Sequence, residues 1–174
     1  GLGYYRRARF LHAAAQAVTA AGKFPDTLEG IRDLPGVGEY TAAAVGSIAF
    51  GLPAAVVDGN VIRVISRLTA LEEDASKGEG AKKVRETAQA LMDPKRPGDF
   101  NQALMELGAT VCTKSAPACS DCPLRTVCRA RREGRAHEIP PARARPIKKE
   151  LRLACAIIEQ DGKLVLIDGY RRVA

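Results

Sequence analysis

Through the first two thirds of the chain, apolar positions recur at helical spacing. Phe10, Leu11, Ala14, Ala17 and Val18 fall on one face of the Ala-rich segment 6–21, and Gly22 stops it. Thr27–Leu34 reads as a short helix closed by Pro35-Gly36, and Tyr40–Phe50 as the helix after a Gly-Val-Gly turn. Beyond Gly51-Leu52-Pro53 and a short apolar piece, Asp58-Gly59-Asn60 opens a helix over Val61–Leu71. Ala81–Met92 and Phe100–Val111 are two more predicted helices, parted by the breaker Asp93-Pro94-Lys95-Arg96-Pro97-Gly98.

The pattern then changes twice. Four cysteines crowd the loop Cys112 to Cys128, and a Pro- and Arg-rich stretch from Gly134 to Lys149 reads as a linker. After it, Leu151–Glu159 and Lys163–Ile167 are apolar and β-branched and are joined by Gln160-Asp161-Gly162, which predicts a β-hairpin. A lone hairpin is not stable in water. It is therefore expected to be the opening of a second domain that these 174 residues do not complete. The start at Gly1 without a Met points the same way.

Composition narrows the class. With 46% hydrophobic and 27% charged residues, the chain has globular composition rather than that of a disordered one. It contains no apolar run near the ~18 residues of a membrane span and no signal-peptide pattern, so a soluble, cytoplasmic protein is expected. The net charge of +7 is concentrated: residues 125–152 hold ten Lys or Arg against three acids and so carry the whole excess. Such a block suits a polyanion; the plain alternative is a solvated linker.

Cys112, Cys119, Cys122 and Cys128 are separated by six, two and five residues, while Cys155 lies far off in the hairpin. Without a secretory context, disulfides are disfavoured and a thiolate metal site is expected. Zinc sites usually bring two close pairs, and here there is one pair flanked by single ligands. The looser spacing suits an iron–sulfur cluster better, with zinc left as the alternative.

Three further features carry candidate chemistry. The turn Leu34-Pro35-Gly36-Val37-Gly38 before a helix can aim amides and a helix N-terminus at a phosphate, or can be a packing connection only. Asp58 can cap the helix it precedes, or Asn60 can cap while Asp58 faces a cleft as a catalytic carboxylate. Tyr4 and Tyr5 stand beside Arg6, Arg7 and Arg9, a pairing that can wedge into a base stack while the cations hold phosphates.

Taken in order, Gly1-Leu2-Gly3-Tyr4-Tyr5, Leu34–Gly38, Val57-Asp58-Gly59-Asn60-Val61 and the cysteine loop, the chain resembles the helix–hairpin–helix DNA glycosylases that carry an iron–sulfur cluster. Within that superfamily it is most similar to the adenine DNA glycosylases, which remove adenine mispaired with 8-oxoguanine. The resemblance is strong over residues 1–135 and holds in outline beyond. It implies a mainly α fold with part of a helical barrel lobe (1–53) and a cluster lobe (54–133) flanking a cleft. A basic linker (134–150) and the first hairpin of an incomplete Nudix-like α/β domain (151–174) would follow.

The resemblance also implies roles. Leu34, Pro35, Gly36, Val37 and Gly38 would grip the DNA backbone, helped by a monovalent cation; Tyr4 would be the wedge beside 8-oxoguanine. Cys112, Cys119, Cys122 and Cys128 would hold a [4Fe-4S] cluster. Asp58 would stabilise positive charge on the sugar, with Asn60 and Tyr40 lining the pocket. Tyr40 stands where the lyase relatives carry a lysine; lacking an amine, it cannot form an imine, so a monofunctional enzyme is expected. The family's general-acid glutamate falls before the Gly-Leu-Gly-Tyr-Tyr motif, so the 174 residues alone are expected to be almost inactive. Double-stranded DNA bearing the mispair is the expected partner of a monomer acting at the nucleoid of a bacterial cell. An endonuclease III-type pyrimidine glycosylase/lyase, a non-catalytic iron–sulfur DNA-binding module and an electron-transfer protein are the competing readings.

Overall fold

Seven α-helices and one π-helical turn make up the described part of the chain. The computed structural model describes residues 4–141, and of the remainder only the backbone of 159–160 and 163–164. Cys155 and most of the predicted hairpin lie outside the described residues. The chain divides into two compact units, Gly1–Arg143 and Ala144–Ala174.

In the first unit, α1 (Tyr5–Ala21) ends at Gly22, whose φ of 74° is the left-handed conformation that glycine adopts without strain. Helix α2 (Leu28–Arg32) begins at Thr27, whose side chain accepts from the Gly30 amide. It is shorter than the predicted 27–34 because the chain turns at Asp33–Gly36. Helix α3 (Glu39–Phe50) matches its prediction to within one residue.

Helix α4 (Gly59–Thr69) starts two residues before the expected Val61 because Asp58 is itself the cap. It stops at Thr69 because Ala70 turns left-handed (φ 53°) and the Leu71 amide folds back to the Ser66 carbonyl. Val61, Val64 and Ile65 form its buried stripe and pack with Leu71, Ala75, Val84, Ala88 and Leu104 in the hydrophobic core. Helix α5 (Gly78–Leu91) and helix α6 (Pro97–Glu106) supply the partners for that stripe.

The predicted helix 100–111 is not uniform. It leaves α-geometry at Leu107 and continues to Val111 as a π-turn, with the Cys112 amide reaching the Leu107 carbonyl at 2.7 Å. A short α7 (Arg129–Arg132), not anticipated, follows the cysteine loop.

One buried side chain fixes α6 against the rest. Asn101 accepts from the Val56 amide (2.9 Å) and donates to Ser47 Oγ (2.8 Å) and the Ala54 carbonyl (2.9 Å). All of its polar capacity toward α3 and the 54–56 segment is thereby used. Packing also runs past residue 133, where the sequence places the start of the linker. Ala136 and Ile139 are buried there, and Arg135 pairs with Glu72 at 2.8 Å.

In the second unit, Glu159–Gln160 pairs antiparallel with Lys163–Leu164, with Glu159 opposite Leu164 and Gln160 opposite Lys163. These four residues sit at the predicted turn.

Candidate catalytic and metal site

Asp58 holds an extended backbone at the entrance to α4, and both of its carboxylate oxygens are engaged. Oδ1 accepts from the Val61 amide at 2.7 Å, and Oδ2 accepts from Asn60 Nδ2 at 3.1 Å. In the alternative in which Asn60 caps while Asp58 faces a cleft, the identity of the cap is therefore corrected: it is Asp58. Asp58 caps α4 with one oxygen, and Asn60 steadies the other.

Asn60 is itself held. Its Oδ1 accepts from Arg63 Nη2 at 2.8 Å, and the same nitrogen donates to the Gly108 carbonyl at 2.6 Å. Arg63 Nε donates to the Cys112 carbonyl at 2.7 Å. Arg63 thus links Asn60 to the π-turn and to the first cysteine. The π-turn explains how: α-helical winding would close the Gly108 and Cys112 carbonyl region differently, whereas the wider turn presents both carbonyls to one guanidinium.

Tyr40, near the start of α3 and 47% exposed, donates from its hydroxyl to Met105 Sδ across 3.8 Å. Met105 lies on α6 one turn before Gly108. Helix α6 thus meets Tyr40 through Met105, and the π-turn that continues it meets Asn60 through Gly108.

The 34–38 turn is formed as expected. Gly36 has φ 78°, and the Val37 amide closes on the Leu34 carbonyl at 3.0 Å. Gly38 provides no side-chain cap, so the amides of the first turn of α3 keep their donors for an outside acceptor. Phe10 of α1 lies directly on Gly36, where an added Cβ would come within 2.4 Å of Phe10 Cβ. Tyr4 is left-handed (φ 51°), a strained state for a non-glycine residue, and its side chain is 82% exposed.

All four loop cysteines line one small cavity of about 20 Å³. Among the described residues, no group of three or more His, Cys, Asp or Glu side chains forms a site for a single metal ion. Burial, with the neighbouring Cys112 and Cys128, pushes the Cys119 thiol up, while the Arg67 guanidinium draws it down. The donor set fits a thiolate-bound group: four sulfurs face one space, and Arg67 Nη1 already donates to Cys112 Sγ at 3.3 Å.

Arg63, Arg67, Met105 and Gly108 were not singled out in the sequence. Two arginines four apart on an otherwise apolar predicted helix, and a glycine inside another, were the available signals.

Residues 1–111 match the family described as HhH-GPD superfamily base excision DNA repair protein. Over 131 residues the chain is 52% identical to the adenine DNA glycosylase of Arabidopsis thaliana, covering 75% of this chain and 21% of that protein. Over 134 residues it is 53% identical to the adenine DNA glycosylase of Homo sapiens, covering 75% of this chain and 24% of that protein. The chain thus spans between a fifth and a quarter of the length of these two curated relatives. A thermostable thymine-DNA glycosylase superposes with a TM-score of 0.64 at 35% identity, over 73% of this chain and 59% of that one. A non-covalent endonuclease III–DNA complex superposes with a TM-score of 0.61 at 28% identity, over 75% and 60%.

Proposed function

This chain belongs to the HhH-GPD superfamily of base excision DNA repair proteins, and from that membership we propose that it carries the catalytic carboxylate and the DNA-gripping parts of an adenine DNA glycosylase. The reaction is hydrolysis of the N-glycosidic bond of adenine paired with 8-oxoguanine or guanine. The observation that carries the reading is Asp58, held at the entrance of α4 by the Val61 amide and the Asn60 side chain. The identity to adenine DNA glycosylases from plant and human supports it.

An adenine in a duplex must leave the stack to be reached, at a cost of a few kcal/mol. As the base departs, the sugar becomes cationic, and a fixed carboxylate stabilises that charge without having to reorganise. Asn60 positions Asp58, and Tyr40 lines the pocket from α3. Adenine also needs a proton to leave; that acid is expected from outside these 174 residues. Residues 1–53 and 54–133 would form the lobes on either side of the DNA, with the amides after Gly38 and a monovalent cation on the phosphates and Tyr4 as the wedge. Cys112, Cys119, Cys122 and Cys128 would hold a [4Fe-4S] cluster that fastens the basic loop 112–132. The protein would act as a monomer.

Single-turnover excision from an adenine:8-oxoguanine duplex by the protein at its relatives' full length is the direct test. Loss of excision in Asp58→Asn with duplex affinity retained is the expected result; unchanged excision would overturn the reading, and a parent that binds duplex without excising would leave only a binding module. The likeness to endonuclease III favours a second reading, a glycosylase/lyase. Tyr40 counts against it, because no amine stands there for an imine. Borohydride trapping on damaged DNA decides between them: no covalent adduct is expected.

A further inference from the structure

Arg67 is a buried cation, and among the described residues no buried Asp or Glu stands beside it. The residue is 3% exposed in the last turn of α4, between Ser66 and Leu68. Its guanidinium donates to the carbonyls of Ile139 (Nε, 2.8 Å), Thr113 (Nη1, 2.7 Å) and Lys114 (Nη2, 3.1 Å). Nη1 also lies 3.4 Å from the Cys112 carbonyl and 3.3 Å from Cys112 Sγ. On the other side the Cys128 thiol sits 3.4 Å from the Arg67 carbonyl. Every acceptor the guanidinium meets is thus a carbonyl or a thiol sulfur.

Carbonyl dipoles meet the hydrogen-bonding needs of a guanidinium but leave its net charge unbalanced, and an unbalanced buried charge costs several kcal/mol. Lysine or methionine could fill this space, so a forked, permanently charged side chain calls for a function. The four cysteines that share its cavity become anions once they bind metal. A four-thiolate iron–sulfur site is net negative.

We propose that Arg67 is a positioning residue for the cysteine site: it supplies the buried countercharge of a four-thiolate cluster and, through Ile139, closes the chain segment after the cysteine loop over it. The inference rests on the cluster reading given above. Ala136 lines the same cavity, three residues before the Ile139 carbonyl that Arg67 holds. The first turn of what the sequence reads as linker is therefore part of the wall of the site. One side chain thereby joins the first ligand, the residues just after it (113–114) and the closing segment (136–139). Two consequences separate this from a merely structural arginine. A nearby positive charge favours the more reduced cluster, so removing it lowers the midpoint potential. Loss of the Ile139 tie exposes the site, so iron is lost faster.

The test uses the full 174-residue chain reconstituted with iron and sulfide, as parent, Arg67→Met and Arg67→Lys. The readouts are iron per chain, the rate of iron loss in air and the midpoint potential. Arg67→Met is expected to lose iron about 10–100-fold faster than the parent, as for other residues that orient metal ligands, and its potential is expected to fall. Arg67→Lys keeps the charge and loses the fork, so its potential is expected near the parent's while iron loss remains faster. A methionine variant with the parent's loss rate and potential overturns the proposal. Should that variant fail to fold by circular dichroism, the lysine variant decides: a parental rate of iron loss overturns the proposal, a faster one supports it. A parent chain that takes up no iron removes the cluster reading itself, and this inference with it.

Discussion

Gly108 lies so close to Asn60 that a Cβ on it would stand 2.6 Å from Asn60 Cβ and 3.0 Å from Asn60 Cα. The π-turn and the entrance of α4 are thus in contact through the absence of a side chain. Gly108→Ala is expected to push Asn60 away from Asp58 and to cost about 1–3 kcal/mol, as overpacking does. Chemical denaturation checks the stability. Excision should fall more than duplex binding, because Asn60 orients a carboxylate rather than holding DNA.

Asp58 has two duties that a pair of substitutions separates. Asn caps helices about as well as Asp but offers one acceptor oxygen, so Asp58→Asn should keep the Val61 bond, lose the Asn60 one and lower the melting temperature less than Asp58→Ala. Loss of the cap in Asp58→Ala should cost about 1 kcal/mol. Excision should drop by at least about 100-fold in both, the scale expected for removing a preorganised electrostatic group. A correlation of activity with melting temperature across the pair would argue for the cap alone.

Arg63 ties Asn60 to the Gly108 and Cys112 carbonyls. Arg63→Met leaves these half-buried acceptors unpaired, at about 1–3 kcal/mol each where water cannot replace the donor. Thermal unfolding should therefore shift down. In single-turnover assays the rate constant should fall while the Kd for duplex stays, since Arg63 acts on the site through Asn60.

Asn101→Ala removes the partner of the Val56 amide, the Ala54 carbonyl and Ser47 Oγ together. A loss of about 2–4 kcal/mol is expected. Urea unfolding with an unchanged m-value would confirm that the native state is destabilised rather than remodelled.

The hairpin glycines should behave differently from each other. Gly36 has positive φ and Phe10 upon it, so Gly36→Ala should cost about 1–3 kcal/mol. Gly38 has φ −103° and nothing within 4 Å of an added Cβ, so Gly38→Ala should fold like the parent. If the turn grips phosphate, Gly38→Ala should nonetheless weaken duplex binding, because a methyl then stands beside the amides that do the gripping. Fluorescence anisotropy across a salt series measures this.

Helix boundaries were legible where local chemistry sets them. The Gly22 stop, the helix start at Thr27 and the span Glu39–Phe50 match their sequence signals to within a residue or two. Helix α4 was misread by two residues at its start because two capping residues, Asp58 and Asn60, lay within reach, and spacing cannot choose between them. The π-turn was not legible at all. A helix-period pattern through Phe100–Val111 is compatible with either winding. What selects the π form is Asn60 pressed against Gly108 and Arg63 drawing on two carbonyls, both from a helix some 45 residues earlier in the chain.

The sequence alone determined the helical character of the chain, the glycine turn before α3, the carboxylate ahead of α4 and the grouping of four cysteines, since each depends on residues within a turn or two of one another. Tertiary structure decided which oxygen of Asp58 is bound by what, that α6 serves both Tyr40 and Asn60, and that Arg67 and Ile139 close the cysteine cavity. Apart from the Asp58 bonds, which are local, these are contacts between segments 45 to 72 residues apart. Their geometry follows from how close two helices pack and what a buried guanidinium can reach, quantities that hydrophobic periodicity does not encode.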